Sequence, residues 1–301
     1  MNDIIFSEVE NNQIGNLSRI SIRKWKNILE LNNEIDSENE DDSEPKRKIL
    51  QNSCFFVTIS HDSSSTIENV GKQLWRSSFL MSDYLINNSS SFDDKLFMDL
   101  GCGIGFNAII LSLIKHKGAF ITDINIDILD FAKKNYYKNS HLSLSLYNEI
   151  TEKNRFKVFD WSLGIKNFSL HEWSSNEIDK IKSYEVTFIA SDVIYDDDLT
   201  QNFFQSLCEI MKSEDSLIIA LDKRYNFSID IMDLVPHGYK YFLEIIGHSD
   251  SLIHRTLIDE NKIKTQFWGQ IIDYDDIPFY CNYDSRAYLE LWVIKIKKLA
   301  S

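Results

Sequence analysis

From Lys95 onward the chain alternates between short apolar runs and longer stretches with apolar residues at helical spacing. The apolar runs predict buried strands at residues 95–101, 119–123, 155–161, 184–195 and 216–224. The stretches with helical spacing predict helices at residues 71–87, 106–116, 125–139 and 197–212. Strands that alternate with helices indicate an α/β fold built on a mostly parallel, doubly wound sheet.

The last part of the chain adds a predicted helix at residues 226–238, a strand at 239–246 and a final strand at 287–296. No helix is predicted between these last two strands, which favours an antiparallel pair. The whole pattern therefore predicts a Rossmann-like, doubly wound, seven-stranded sheet that is mostly parallel and has an antiparallel last strand.

We assign residues 67–301 to this main domain and residues 1–66 to an N-terminal extension. Within the extension, residues 54–60 predict a strand, and residues 19–31 can form a short strand or helix. Residues 32–48 are charged and almost free of large apolar side chains, so they cannot offset the entropy cost of ordering. We expect a disordered acidic loop there; a docking segment, or an import patch at its final Lys-Arg-Lys, is the alternative.

The chain has 301 residues and a formal net charge of −14. This excess of acid disfavours direct binding to nucleic acid, because phosphate contacts need Lys and Arg, and it favours a basic partner. The cysteines show no paired spacing, which argues against a metal site or a disulfide framework. With no signal peptide or membrane span predicted, we expect an intracellular protein.

The stretch Asp-Leu-Gly-Cys-Gly-Ile-Gly at residues 99–105 follows the first strand of the main domain. In doubly wound sheets, ligands bind at this carboxyl edge. Gly101 and Gly103 allow tight turning and close approach of a ligand. The dinucleotide fingerprint would place its third glycine at Phe106. Taken alone, this turn leaves open a dinucleotide site or an α/β domain without a nucleotide.

Two acidic residues near the turn favour one kind of ligand over the others. Asp123 ends the next strand, where a carboxylate can accept two charge-assisted hydrogen bonds from a ribose. Asp99 stands directly before the turn, where it would repel a pyrophosphate and attract a cationic ligand. Together these features favour S-adenosylmethionine, whose sulfonium is positively charged.

These residues resemble the class I methyltransferases, and more specifically the seven-β-strand protein lysine methyltransferases and one of their methyltransferase-like groups. The resemblance covers residues 67–301 apart from a poorly matched stretch at 248–285. Its most specific mark is the Asp-x-x-Tyr motif at Asp192 and Tyr195. Further matching stretches lie at residues 70–85, 159–161, 190–200, 222–227 and 289–294.

The resemblance implies S-adenosylmethionine as cofactor and a lysine of a protein as the methyl acceptor. It implies catalytic roles for Asp192 and Tyr195. The cofactor-binding residues that we predict are Trp75, Asp99, Gly101, Cys102, Gly103, Asp123, Asp160, Trp161 and Ser191.

Each of these residues also has a structural interpretation. Trp75 can be a core residue, Asp160 a helix cap, and the hydroxyl of Ser191 idle. The acids at 196–198 are expected to cap the next helix or to attract a basic substrate segment. Lys223 and Arg224 can simply balance acids at the same sheet edge.

Three other functions stay open. Nucleic-acid and glutamine methyltransferases commonly carry Asn/Asp-Pro-Pro-Tyr after the fourth strand, whereas residues 191–195 read Ser-Asp-Val-Ile-Tyr. A small-molecule methyltransferase and a non-catalytic cofactor-binding module share the same fold. We expect a monomer in the nucleus or cytoplasm that acts on a basic, nucleic-acid-associated protein, with no membrane partner.

Overall fold

The computed structural model of the chain describes residues 4–6, 17–23, 54–62, 64–142, 154–224, 226–228, 233–235, 237–247, 256–259 and 264–299. The predicted acidic loop at residues 32–48 lies outside these ranges.

The structure contains helices and strands in alternation over its central part. The strands are β1 (Ile4–Phe6), β2 (Leu17–Arg23), β3 (Cys54–Ser60), β4 (Ser64–Thr66), β5 (Leu96–Leu100), β6 (Gly118–Asp123), β7 (Asn154–Val158), β8 (Val186–Ser191), β9 (Ser216–Asp222), β10 (Asn226–Ser228), β11 (Asp233–Val235), β12 (Ile246–Gly247), β13 (Thr256–Ile258), β14 (Lys264–Ile271) and β15 (Leu289–Leu299). The α-helices are α1 (Arg76–Asn87), α2 (Phe106–Leu111), α3 (Ile126–Lys138), α4 (Asn167–Leu170), α5 (Ser175–Ser183), α6 (Asp197–Ile210) and α7 (His237–Ile245). Short 3-10 helices occupy Ile67–Lys72, Ser89–Ser91, Ser140–Leu142 and Gly164–Lys166.

The main sheet has the strand order β12-β14-β15-β9-β8-β5-β6-β7, with β13 paired to β14. Among β5 to β9, paired strands are parallel to one another, whereas β15 is antiparallel to both β9 and β14. This order confirms the predicted Rossmann-like, mostly parallel sheet with its antiparallel last strand. The described residues give the sheet nine strands and not the predicted seven, because β12, β13 and β14 take the place of the one strand predicted at residues 239–246. The chain builds outward from β5 in one direction through β6 and β7, and then in the other through β8 and β9. The carboxyl end of β5 is therefore the topological switch point.

Both faces of the parallel strands are buried, as the near-continuous apolar runs predicted. Because successive side chains point to opposite faces, Phe97 joins one core cluster while Leu96 and Met98 join the other. Side chains of α1, α2 and α3 pack on the first face, and those of α5, α6 and α7 pack on the second. The two helix layers thus pack against both faces of the strands whose carboxyl ends meet at the switch point.

Two predicted elements near the C-terminus are wrong. Residues 226–238 form no single helix, because Asn226–Ser228 and Asp233–Val235 pair as antiparallel strands. The predicted strand at residues 239–246 is largely α7 instead. Phe242 and Ile245 are fully buried while Lys240 and Glu244 are exposed, which is the burial pattern of a helix. The sheet takes its missing strand, β14, from the stretch that the sequence left unassigned.

The β2–β3 hairpin of the N-terminal extension packs on the main domain. Its apolar side chains Ile20, Ile22, Val57 and Ile59 belong to the same core cluster as β5 and α1. The side-chain amide of Asn135 in α3 bonds the backbone of Ser60, and that of Asn139, the C-cap of α3, bonds the backbone of Thr58. A buried hydrogen bond joins Ser18 Oγ to His61 Nε2 at 2.7 Å, a pair that the sequence did not reveal. The hairpin thereby supports α3, which follows the acid at the end of β6.

Candidate functional site

A cavity of about 430 Å³ opens at the carboxyl ends of β5, β6 and β8. The structure brings nine of the eleven predicted site residues to its wall: Trp75, Gly101, Gly103, Asp123, Asp160, Trp161, Ser191, Asp192 and Tyr195. Asp99 is buried behind the turn and Cys102 lies within it, and neither residue is part of the wall.

The glycine turn brings the backbone close to the ligand space. Gly101 and Gly103 have φ angles of 75° and 51°, a region that L side chains rarely adopt. A Cβ atom on Gly103 would lie 2.9 Å from the carbonyl oxygen of Gly71, and one on Gly101 would lie 3.2 Å from the Trp161 ring. Both positions therefore need glycine for backbone conformation and for space.

Asp123 ends β6 at the cavity wall. Its carboxylate accepts hydrogen bonds from the backbone N–H of Gly103 at 3.1 Å and, more weakly, from that of Asn125 at 3.4 Å. Burial raises the pKa of Asp123 to about 6, while these N–H donors lower it. The side chain thus links the glycine turn to the start of α3. Asn125 caps that helix by accepting from Asp127 N, as predicted.

Asp99 is fully buried behind the turn, and neither of its carboxylate oxygens has a hydrogen-bond partner among the described residues. Burial, followed by the nearby charge of Asp123, raises the pKa of Asp99 to about 8. Cys102 packs against the core, and burial raises the pKa of its thiol well above the usual value. Cys102 is therefore not a reactive thiolate.

Two indoles face the cavity. Trp75 is half-buried and donates its ring N–H to Val70 O at 3.3 Å. Trp161 packs edge-on against Phe203, with ring centroids 5.0 Å apart. Between strand and helix, Asp160 accepts from both the backbone N–H and the hydroxyl of Ser162, at 2.8 and 2.7 Å. Asp160 thus closes a turn and is not the helix cap that was its predicted structural interpretation, because the helices at Gly164–Lys166 and Asn167–Leu170 begin after Leu163 and Lys166.

The end of β8 supplies the next part of the wall. Ser191 accepts a hydrogen bond from the side-chain amide of Asn107 at 2.9 Å, so its hydroxyl is engaged. After the Asp-x-x-Tyr motif, Asp196 accepts from Leu199 N at 2.8 Å and caps α6. This confirms the cap predicted from the run of acids at 196–198.

Asp192 is buried, has a φ angle of 61° and forms an ion pair with Arg224 through its Oδ2 atom. Its Oδ1 atom is buried and has no hydrogen-bond partner within the described part of the chain. Burial raises the pKa of Asp192, and Arg224 acts in the opposite direction. Tyr195 is 42% exposed at the mouth of the cavity, and burial of part of its ring raises the pKa of its phenol.

The main residue missing from the sequence-based site is Arg224. Its side chain lines the cavity, contacts Asp192 and lies over the Trp75 ring at 4.4 Å from the centroid. The sequence placed Arg224 at the correct sheet edge, and one of its predicted roles, to balance an acid, is what the structure shows. Nothing in the spacing told which acid it would meet.

Further residues that the sequence did not select also line the cavity. They are Val70, Gly71, Ile124, Asn125, Ile128, Ser162, Val193, Leu199 and Asn202. Most are apolar or small, and such residues carry no chemical signal in a sequence.

The residues present fit a cationic nucleoside ligand. Asp123 lies on the cavity wall with the fully buried Asp99 near it behind the turn, and the half-buried rings of Trp75 and Trp161 offer flat apolar surface. Within the described residues, no group of three or more His, Cys, Asp or Glu is placed to hold a metal ion. All four cysteines are free thiols, and no helix of the described part is long and apolar enough to cross a membrane.

Comparison with known proteins gives matches over the same region. A family model described as lysine methyltransferase matches residues 58–237. The chain is 29% identical over 245 residues to methyltransferase-like protein 22 of Homo sapiens, and 26% identical over 251 residues to the same protein of Mus musculus. These matches cover 79% and 81% of this chain but only 57% and 60% of the relatives. The chain therefore spans less than two thirds of the length of these relatives.

Solved structures with a similar course of the chain include the methyltransferase domain of bacterial CtHen1, at 14% identity and a TM-score of 0.42. That match covers 73% of this chain and 98% of the CtHen1 domain. Phosphoethanolamine N-methyltransferase 1 of Haemonchus contortus matches at 13% identity and a TM-score of 0.40, covering 74% of this chain and 43% of that one.

Proposed function

The chain belongs to the lysine methyltransferase family, and we propose that it transfers a methyl group to the side-chain amine of a lysine in a protein substrate. Its cofactor is S-adenosylmethionine. Membership confirms the resemblance read from the motifs, including the similarity to methyltransferase-like protein 22.

One observation carries the proposal. Asp192 lines the same cavity as the glycine turn, and its buried carboxylate oxygen Oδ1 has no hydrogen-bond partner among the described residues. A buried unpaired acceptor costs free energy until a donor reaches it. The N–H of an incoming amine is such a donor, and Tyr195 lies at the same cavity mouth to line its path.

The chemistry that these residues must support is modest. The cofactor supplies a methyl group activated by a positively charged sulfur. A free lysine has a pKa of about 10.4, so only about one amine in a thousand is neutral near pH 7. Entry into a partly dry cavity lowers the pKa of the amine. Asp192 can then accept a hydrogen bond from one of the amine N–H groups and so orient the lone pair of the nitrogen. Tyr195 can hold the arriving cation against its ring.

For the cofactor, we propose that Asp123 accepts hydrogen bonds from the ribose and that Trp161 supports the adenine. Trp75, Gly101, Gly103 and the backbone around Cys102 would border its methionine end, with Asp99 as a buried negative group behind the turn and Ser191 as a small neighbour. Asp160 would face the adenine through its second carboxylate oxygen, because Oδ1 is occupied by Ser162.

For the partner, we propose a basic, nucleic-acid-associated protein in the nucleus or cytoplasm. The support is the net charge of −14 and the exposed acids Asp196, Asp197 and Asp198 beside Tyr195. We also propose that the chain acts as a monomer.

The test is incubation of the purified chain with methyl-labelled cofactor and a hypomethylated lysate of the source organism. We expect a labelled protein band whose modified residue is a lysine by mass spectrometry. Label found only in small molecules would replace the protein acceptor with a small-molecule one. Cofactor binding with no transfer to any fraction would identify a binding module, and label on glutamine or nucleic acid would overturn the choice of lysine.

A further inference from the structure

Arg224 lies between Asp192, the proposed catalytic acid, and Trp75, a proposed cofactor contact. Its guanidinium contacts Asp192 Oδ2 on one side and lies over the Trp75 ring on the other. Arg224 follows β9, Asp192 follows β8, and Trp75 precedes α1. A single side chain thus connects three elements that meet only in the folded molecule.

Asp192 is held in place from its backbone as well. Its N–H donates to Ala220 O at 2.9 Å, and its left-handed φ angle of 61° is uncommon for a residue other than glycine. Strained conformations of this kind persist where the surroundings fix them, and they are frequent at active sites. With the backbone fixed, the contact with Arg224 decides which carboxylate oxygen is engaged and which one has no hydrogen-bond partner among the described residues.

Resting on the proposed function, we infer that Arg224 is a positioning residue for methyl transfer: it occupies Asp192 Oδ2 and leaves Oδ1 as the single acceptor for the substrate amine. A single carboxylate oxygen without a hydrogen-bond partner matches one N–H of an amine. It does not match the paired N–H groups of a guanidinium, which bind two carboxylate oxygens side by side.

The charges around Asp192 explain why the contact matters. The charge of Asp222 disfavours the ionised form of Asp192, and the nearby Tyr195 does not offset this effect. The cations Arg224 and Arg76 favour the ionised form. Arg76 is already paired with Asp222 at 2.7 Å. Arg224 is therefore the main cation that favours the ionised form of buried Asp192, the form that only accepts hydrogen bonds.

A lysine would not replace this arginine fully. Arginine has a planar guanidinium that stacks on an indole while it bonds a carboxylate, whereas an ammonium is a point charge without a flat face. The neighbouring Lys223 offers a matched control, because it bonds Glu290 at 2.8 Å and does not line the cavity.

The first test needs no substrate. In protein labelled with ¹³C at the aspartate carboxyl carbon, the Asp192 resonance is identified as the one absent from Asp192→Asn. Arg224→Met should raise the measured pKa of Asp192 by about 1 to 3 units, the effect of losing a close opposite charge. Arg224→Lys should give a smaller rise, and Lys223→Met should leave the pKa unchanged. An unchanged Asp192 pKa in folded Arg224→Met would overturn the inference.

The second test uses the labelled-methyl assay. We expect Arg224→Met to lower kcat by about 10- to 100-fold and to move the acidic limb of its pH profile upward, with partial rescue in Arg224→Lys. Loss of activity with an unmoved pH profile would reduce Arg224 to a structural role. If the wild-type chain transfers no methyl group at all, the proposed function fails, while the carboxyl pKa measurement still decides whether Arg224 controls Asp192.

Discussion

The carboxyl groups of Asp99 and Asp123 lie on neighbouring parallel strands, and the charge of Asp123 adds to burial in raising the pKa of Asp99. Neither oxygen of Asp99 has a hydrogen-bond partner among the described residues. The site is thus built with two close acids whose ionised forms are disfavoured until a positive group arrives. This arrangement makes the cofactor site sensitive to pH.

Cofactor binding is expected to release protons. The pKa values of Asp123 and Asp99 are raised to about 6 and about 8, and a bound cation favours their ionised forms. Binding then lowers both pKa values, so affinity should rise with pH between about 6 and 8. Calorimetry at pH 7 in buffers of different ionisation enthalpy should give a net release on the order of half a proton or more.

A control is needed because the amino group of the cofactor itself titrates near pH 8. Asp99→Asn removes one of the two acids and should reduce the measured release, while the contribution of the cofactor stays the same. Equal apparent enthalpies in all buffers would contradict the prediction.

Asp99→Asn should also change the pH dependence of stability without cofactor. Because the folded-state pKa of Asp99 is raised, the folded protein binds more protons than the unfolded chain, so stability falls as pH rises from about 4 to about 8. The asparagine variant lacks this loss. A rise in pKa from 3.8 to about 8 corresponds to about 5 kcal/mol, so the melting temperature of the variant relative to the wild type should increase over that range by on the order of 10 °C, at about 2–4 °C per kcal/mol. Thermal unfolding at constant salt measures the difference, and a difference independent of pH would count against a titrating Asp99.

Asp123→Asn should weaken cofactor binding by about 10- to 100-fold, since charge-assisted hydrogen bonds contribute about 1.5–3 kcal/mol each. The amide still fits the space and can accept from Gly103 N. Asp130→Asn removes an acid that is exposed on α3, so it controls for the change in net charge. Equal affinities of both variants in calorimetry would remove Asp123 from the proposed ribose contact.

Asp192→Ala should bind the cofactor within about threefold of the wild type and lower methyl transfer by at least about 100-fold, because the acceptor loses its orienting oxygen. Asp179→Ala, at an exposed position on α5, is the matched control and should keep transfer. Cofactor affinity is measured by calorimetry and transfer with labelled cofactor. Unchanged turnover in folded Asp192→Ala would exclude its catalytic role.

The C-terminal region shows where local patterns stop being informative. The apolar residues at 239–246 suit a short strand or a helix, and only the packing of Phe242 and Ile245 beneath the sheet selects the helix. β14 was missed because the polar Thr265 is buried while the apolar Trp268 and Ile271 are exposed, so its sequence lacks the alternation of apolar and polar residues that predicts a strand, and only its pairing with β15 reveals it. Pairing between distant segments is not encoded in the period of either one.

The sequence by itself determined the parallel core strands, the glycine turn, the acids that end β5 and β6, and the Asp-x-x-Tyr motif, because each depends on a short stretch with its own periodicity or backbone requirement. Tertiary structure alone decided that Asp99 lies buried behind the turn, that the β2–β3 hairpin supports α3, and that Arg224 meets Asp192 over Trp75. Burial and ion pairing arise where separate elements converge, and their energies depend on neighbours that no local stretch specifies.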